Sequence, residues 1–193
     1  MTVSQSLGAD YFEDIFASNE DPWELATSEY ERRKFDRTIA VLQDRRYTSA
    51  IEVGCAHGVL TERLHDLCDH LLAIDISKTA LHLAQKRLEP HPQVEFAQME
   101  FPREEPRGPF DLCVISEVAY YWNPSDLVIA AKWMIANLAP GARAIFVHYT
   151  GETDYPCSAN EAMRILAQET SKYFMPRIDE RHAQYRLDLW ERR

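Results

Sequence analysis

Ser49-Ala50-Ile51-Glu52-Val53-Gly54-Cys55-Ala56-His57-Gly58 is the stretch on which the fold turns. An apolar run with β-branched residues stops at Gly54. A second glycine follows at Gly58, and then a helix-like pattern begins at Val59, Leu60, Leu64 and Leu67. The reading is strand, tight turn, helix, with the helix over 59–68. Glycine suits such a turn because it accepts positive φ and lets a ligand approach the backbone. The dinucleotide fingerprint G-x-G-x-x-G is absent, since Cys55-Ala56 stands where its middle glycine belongs. That argues against a bound pyrophosphate, which needs the closest backbone approach, and less against a nucleoside without phosphates. By themselves the two glycines also fit a plain tight turn.

Downstream, residues 70–75 form a second apolar run that closes on Asp75. An acid roughly 20 residues after such a turn is placed to accept hydrogen bonds from ribose hydroxyls. The competing reading is structural: Ser77 caps the next helix and Asp75 supports it. That helix spans 79–88 and is ended by Pro90 and Pro92. A short strand at 94–97 leads to Met99-Glu100 and a Pro-rich loop. Residues 110–115 form a continuous apolar strand of the kind buried in parallel sheets, ending in Ser116-Glu117. Tyr120, Tyr121 and Trp122 follow. A helix from Ser125 to Leu138 is broken by Pro140-Gly141. A fifth strand at 143–147 ends at His148-Tyr149. Ser158 and Glu161 form a capping box for one more helix. Strand-like pieces at 173–178 and 183–190 read as a β-hairpin. In the second piece Tyr185, Leu187 and Leu189 alternate with Arg186, Asp188 and Trp190.

Upstream, Tyr11, Phe12, Ile15 and Phe16 share one face of a helix. Asp21-Pro22-Trp23 signals a turn. A helix over 28–44 turns Phe35, Ile39 and Leu42 inward and Glu31, Arg32, Arg33, Lys34 and Arg37 to solvent. A segment placed before the first strand suits a lid over a ligand pocket, with Trp23 part of it.

The composition, 46% hydrophobic and 27% charged over 193 residues, is that of one globular domain. A formal net charge of −10 argues against nucleic acid or an anionic membrane as a partner. The four cysteines, Cys55, Cys68, Cys113 and Cys157, form no C-x-x-C pair and read as structural thiols of a reduced compartment. Residues 1–10 carry no signal-peptide pattern, and no apolar run reaches membrane-span length. The expected location is the cytoplasm.

Strands alternating with helices predict an α/β doubly wound, mostly parallel Rossmann-like sheet with a C-terminal antiparallel hairpin. Such sheets bind ligands beyond the carboxyl ends of their strands. Gly54, Gly58, Asp75, Glu100, Ser116, Glu117 and His148 all fall there.

Five pieces in order carry a resemblance: Glu52-Val-Gly-Cys-Ala-His-Gly58, Leu72-Ala-Ile-Asp75, Val94-Glu-Phe-Ala-Gln-Met-Glu100, Phe110-Asp-Leu-Cys-Val-Ile-Ser-Glu117 and Leu138-Ala-Pro-Gly-Ala142. The chain resembles class I S-adenosylmethionine (SAM)-dependent methyltransferases. Asp21-Pro-Trp23, Tyr30-Glu-Arg-Arg-Lys34, Ser116-Glu-Val-Ala-Tyr-Tyr121, His148 and Tyr155-Pro156 make it similar to the nodulation protein S (NodS) family of N-methyltransferases. The resemblance implies one domain over 1–193, with a helical lid at 1–45 and a core at 46–193. The implied cofactor is SAM, leaving as S-adenosyl-L-homocysteine. The implied cofactor-binding set is Trp23, Lys34, Gly54, Cys55, Ala56, Gly58, Asp75, Ile76, Met99, Glu100 and Ser116. Within it the glycine turn lines the methionine part, Asp75 meets the ribose, and Met99 and Glu100 lie at the adenine. Ser116 faces the methionine moiety or the sulfonium, and Lys34 meets the carboxylate. No metal is implied. Two departures stand out: Ala142 replaces a turn glycine, and His57 replaces a small residue, either narrowing the pocket or pointing to solvent.

Methyl transfer to nitrogen needs a neutral amine in line with the donor bond. Glu117, His148 and Tyr120 are the candidate catalytic residues, the first two as proton acceptors. Tyr120 and Tyr121 also suit a pocket wall for a sugar or a cationic amine. The expected acceptor is a small amine, an amino sugar or related metabolite. An oxygen acceptor, a non-catalytic SAM-binding subunit and a nicotinamide dehydrogenase are the alternatives; the missing central glycine disfavours the last.

Overall fold

The computed structural model describes residues 5–89 and 91–193. Residues 1–4 of the expected lid, and Pro90 as an expected helix stop, lie outside the described residues. The chain divides into two compact units, residues 8–99 and residues 100–193 with 5–7.

The first unit runs α1 (Ala9–Ser18), α2 (Glu29–Leu42), β1 (Tyr47–Val53), α3 (Thr61–Leu64), β2 (Cys68–Asp75), α4 (Lys78–Arg87) and β3 (Val94–Gln98). Its strands lie in the order β3-β2-β1, all parallel. Ile51, Val53, Leu71, Ala73 and Ile74 are buried, as the apolar runs require. On α1 the buried residues are Phe12 and Phe16, whereas Tyr11 is exposed. The helix expected over 59–68 is shorter. It is the single turn of α3 followed by a 3-10 turn, His65–Leu67. The reason lies in the register: Cys68 already pairs with Tyr47, so β2 begins two residues earlier than its apolar run suggests.

The solvated face expected for α2 also needs correction. Arg32 and Arg33 are exposed and paired with Glu29. Glu31 and Lys34, however, are buried. Lys34 Nζ lies 2.8 Å from Glu31 Oε2, one helical turn away, and 5.0 Å from the centre of the Tyr30 ring. An opposite charge and an aromatic face make burial of the ammonium tolerable. Neither compensation is visible in a helical pattern.

The second unit runs β4 (Phe110–Ser116), α5 (Pro124–Asn137), β5 (Leu138–Tyr149), α6 (Ala159–Thr170), β6 (Phe174–Arg181) and β7 (Tyr185–Arg192). The order is β4-β5-β7-β6, with β4 and β5 parallel and the other pairs antiparallel. Helix α5 starts one residue ahead of the expected Ser125, because Asn123 is the cap and Pro124 the first helical residue. Asn123 Oδ1 accepts the Asp126 N–H at 2.9 Å. Pro140-Gly141 does not separate helix from strand. It sits inside β5, where Gly141 takes φ +77° and the register with β4 shifts. Ser158 caps α6 as read, accepting the Glu161 N–H. The alternation of β7 hides a second correction, since Arg186 and Asp188 are buried along with their apolar neighbours. Two hydrogen bonds of 2.7 and 2.9 Å join them in a fork, and Arg186 Nη1 donates to Asn160 Oδ1 at 2.8 Å.

Candidate functional site

The turn after β1 has positive φ at three positions: Gly54 (+76°), Ala56 (+49°) and Gly58 (+83°). Gly58 is constrained twice. A Cβ there would lie 2.9 Å from Leu88 Cδ1 and 3.1 Å from Ala84 Cα, so any other residue would push α4 away. Ala56 has no such freedom and holds a sparsely populated conformation. Its N–H donates to Asp75 Oδ2 at 2.8 Å. The other oxygen, Oδ1, accepts the Ser77 N–H at 2.8 Å, and Ser77 Oγ in turn accepts the Ala80 N–H at the start of α4.

Asp75 thus pins both the turn and the helix cap. Burial pushes its carboxyl up to about 6, against the pull of the Ser77 and Ala56 N–H groups. A carboxylate oxygen has two acceptor directions, so each Asp75 oxygen that takes one N–H keeps capacity for a hydroxyl. Glu52, at the end of β1, is buried more severely, and desolvation pushes it up to about 8.

Sequence reasoning missed Glu13. From α1 its carboxylate accepts hydrogen bonds from the Ser77 hydroxyl (2.7 Å), the Thr79 N–H (3.3 Å) and the Thr79 hydroxyl. These donors lower its pKa, the Thr79 hydroxyl most. An acid at a helix N-terminus is favoured by the orphan N–H groups there. The only signal in the sequence was an acid on an amphipathic helix, which has no address until α1 is placed.

Trp23 is half-buried and meets Phe16 edge-on at 5.4 Å. Asp21 holds their turn, accepting the Leu25 N–H at 2.7 Å and the Ala26 N–H at 3.1 Å. Met99 N–H donates to the Asp75 carbonyl at 3.0 Å, while Cys55 is buried and Ile76 half-buried. The turn, Asp75, Ile76 and Met99 are therefore brought together. Lys34 is instead engaged with Glu31. His57 is buried, which overturns the solvent-facing option for it.

In the second unit Glu117 follows β4 with φ +57°. Its N–H donates to the Val147 carbonyl at 2.8 Å, and its Oε2 accepts both the Tyr120 hydroxyl (2.7 Å) and the Tyr149 N–H (2.8 Å). Burial, then the Glu117 charge, raises the Tyr120 pKa, so the phenol stays protonated and donates. Tyr155 stacks on Tyr120 at 5.3 Å and meets Tyr121 edge-on at 4.7 Å. His148 is fully buried, with Nε2 accepting the Ala119 N–H at 3.2 Å. Ser116 is half-buried at the end of β4. Glu100 pairs with Arg103 at 2.8 Å, and Arg103 reaches Asp126 at 3.3 Å. The structure thus gathers Glu117, Tyr120 and His148 around one bend, while the Glu100 carboxylate is held by Arg103.

The model of the nodulation protein S (NodS) family matches residues 10–156. The chain belongs to this family. It is 31% identical over 129 residues to nodulation protein S of Bradyrhizobium diazoefficiens, covering 66% of this chain and 62% of that one. The counterpart from Sinorhizobium fredii is 29% identical, with coverages of 66% and 60%. The chain spans less than two-thirds of the length of the curated relatives it matches. Among solved structures, N-methyltransferase NodS from Bradyrhizobium japonicum WM9 in complex with S-adenosyl-L-homocysteine superposes with a TM-score of 0.83. It is 22% identical and covers 96% of this chain and 99% of that one. A candidate methyltransferase from Pseudomonas syringae is 34% identical, covers 86% and 100%, and gives a TM-score of 0.74. The fold is that of the class I methyltransferases: mixed α/β with seven strands among the described residues, mostly parallel and antiparallel at the C-terminal end.

Proposed function

We propose that this protein is a SAM-dependent methyltransferase that transfers a methyl group to the nitrogen of a small amine, an amino sugar or related metabolite. The observation that carries the reading is Asp75. It is a buried carboxylate at the end of β2, hydrogen-bonded to a turn whose backbone takes three positive φ values. Positive φ at Gly54, Ala56 and Gly58 leaves backbone, not side chains, facing the ligand. The Asp75 oxygens retain acceptor capacity, and a diol is the group that uses both. The Asp75 acceptors thus fit the ribose of a nucleoside.

On this reading Gly54, Cys55, Ala56 and Gly58 line the methionine part of the cofactor, Asp75 the ribose, and Ile76, Met99 and Glu100 the adenine. Ser116 and Trp23 complete the set. Lys34, paired with Glu31, is the lid helix's member of the set. The chain acts as one domain, with residues 1–45 its lid and 46–193 its core. SAM supplies a methyl group on a sulfonium. Glu117 receives the acceptor's ammonium, takes its proton on a carboxylate oxygen and leaves the nitrogen lone pair free. Tyr120 orients that carboxylate through its hydroxyl, and Tyr155 backs Tyr120 by stacking. His148 fixes the backbone after Glu117 through Ala119, which supports a positioning role rather than proton transfer. The acidic charge supports a small-molecule partner over nucleic acid. No helix among the described residues is long and apolar enough to cross a membrane, which is compatible with a cytoplasmic location.

Calorimetry with S-adenosyl-L-homocysteine, and with NAD as the control, tests the cofactor half. Mass spectrometry of reactions offered amines and hydroxyl compounds tests the chemistry. Binding of NAD and not of S-adenosyl-L-homocysteine overturns the first half. A methylated hydroxyl with every amine untouched overturns the second.

A further inference from the structure

His57 occupies the glycine turn, a large side chain between Ala56 and Gly58, both of which take positive φ. Its ring is buried, 4% exposed, and neither ring nitrogen has a hydrogen-bond partner among the described residues. Burying two polar nitrogens without partners is costly. A small residue in this turn would avoid that cost, so the ring's contacts are what its presence supplies. Phe16 of α1 meets it edge-on at 6.4 Å and also meets Trp23 edge-on. From the 21–26 turn, Asp21 Oδ1 lies 3.5 Å from Nε2. From α4, Arg87 Nε donates to the His57 carbonyl at 3.0 Å. One side chain therefore touches α1 and the Trp23 turn, while its backbone is held by α4.

We propose that His57 is a positioning residue that couples the Trp23 turn to the glycine turn, so that the two order and loosen together, and that protonating its ring uncouples them. The coupling rests on geometry. Its bearing on cofactor affinity rests on the reading given under Proposed function.

The charged groups facing the ring are Asp21 and Glu20 from the turn and Arg87 from α4. Burial lowers the ring's pKa most; Asp21 and Glu20 act to raise it, and Arg87 to lower it further. The packed site therefore holds the neutral ring. Its contribution is complete above the ordinary histidine pKa of 6.5 and is lost as pH falls from there through the lowered value.

The test uses the full chain labelled with 5-fluorotryptophan, with the Trp23 resonance assigned by Trp23→Phe. In the ligand-free wild type, the Trp23 fluorine signal should titrate with a midpoint below 6.5. His57→Phe keeps a ring without a proton to gain, and its Trp23 signal should stay near the wild-type position at all pH values. His57→Ala should shift or broaden the signal at neutral pH and weaken S-adenosyl-L-homocysteine binding roughly fivefold or more. A wild-type Trp23 signal without pH dependence overturns the proposal and needs no variant. So does a titration that persists in His57→Phe. Absence of S-adenosyl-L-homocysteine binding to the wild type overturns the cofactor reading alone, because the Trp23 titration is read without ligand.

Discussion

Asp75 and Glu117 both stand at the carboxyl end of a strand, but different parts of the chain hold them. Asp75 is fixed by N–H groups of residues 56 and 77 and buried to 8% exposure, so its own neighbourhood builds its environment. Glu117 sits in a left-handed bend and leans on a hydroxyl three residues later and an N–H from the far end of β5. Backbone donors cannot be mutated away, so the first carboxylate is rigid in position and changes mainly in charge. The second is held by one backbone N–H and one side-chain hydroxyl, and the hydroxyl can be removed. On the proposed assignment, the first carboxylate meets the cofactor and the second the acceptor.

The sharpest way to break the comparison is Glu117→Gln. The amide keeps an acceptor for Tyr120 and Tyr149 but cannot take a proton. The expected loss in kcat/KM is about a hundredfold, the lower range for a lost general base. Affinity for S-adenosyl-L-homocysteine stays at the wild-type value. Equal losses in both, measured by initial rates and calorimetry, would place Glu117 on the cofactor side.

Asp75→Ala is the mirror experiment. Losing charge-assisted hydrogen bonds should weaken S-adenosyl-L-homocysteine binding by about 1.5–3 kcal/mol, roughly ten- to hundredfold. Unchanged affinity by calorimetry would leave Asp75 as a structural support for the turn alone.

The pH dependence of that affinity sharpens the same point. With its carboxyl raised to about 6, Asp75 is ionised at pH 7 and protonated as pH falls through 6. If the ionised form is the ligand, affinity falls about tenfold by pH 5. Asp75→Asn should show no such slope. The linkage to folding has the opposite sign. A folded-state pKa raised above 3.8 means that Asp75 contributes stability fully at low pH and loses it as pH rises through 6. Glu52, raised to about 8, extends this loss to higher pH. Melting of the ligand-free Glu52→Gln variant should accordingly be less sensitive to pH between 6 and 9 than that of the wild type.

The smallest effect expected is that of Tyr120→Phe. It removes the hydroxyl donor to Glu117 Oε2 and leaves the Tyr149 N–H in place. A loss of about 1 kcal/mol, roughly fivefold in kcat/KM, follows from one hydrogen bond. A loss as large as that of Glu117→Gln would make Tyr120 itself the proton-transferring group.

The alternation of strands and helices, the C-terminal hairpin, the glycine turn, the Ser77 and Ser158 caps and the acid at the end of β2 were all determined by sequence alone. Each rests on spacing along a few residues: two glycines, a period of two or 3.6, a polar residue just before a helix. The tertiary structure alone decided where charged residues of the amphipathic elements went. Lys34 and Glu31 share a helix with Arg32 and Arg33, yet only the first pair is buried, because Tyr30 and a partner one turn away cover it. Glu13 finds the start of α4 through packing that no periodicity encodes, and the period of two that sets Arg186 beside Asp188 does not show that both are buried. His57 is the clearest case. Its type and place in the turn are written in the chain, but its burial against Phe16 and Asp21 exists only once α1 and the 21–26 turn have folded back over it. A buried polar group is set by what covers it, and that is a property of residues distant in sequence.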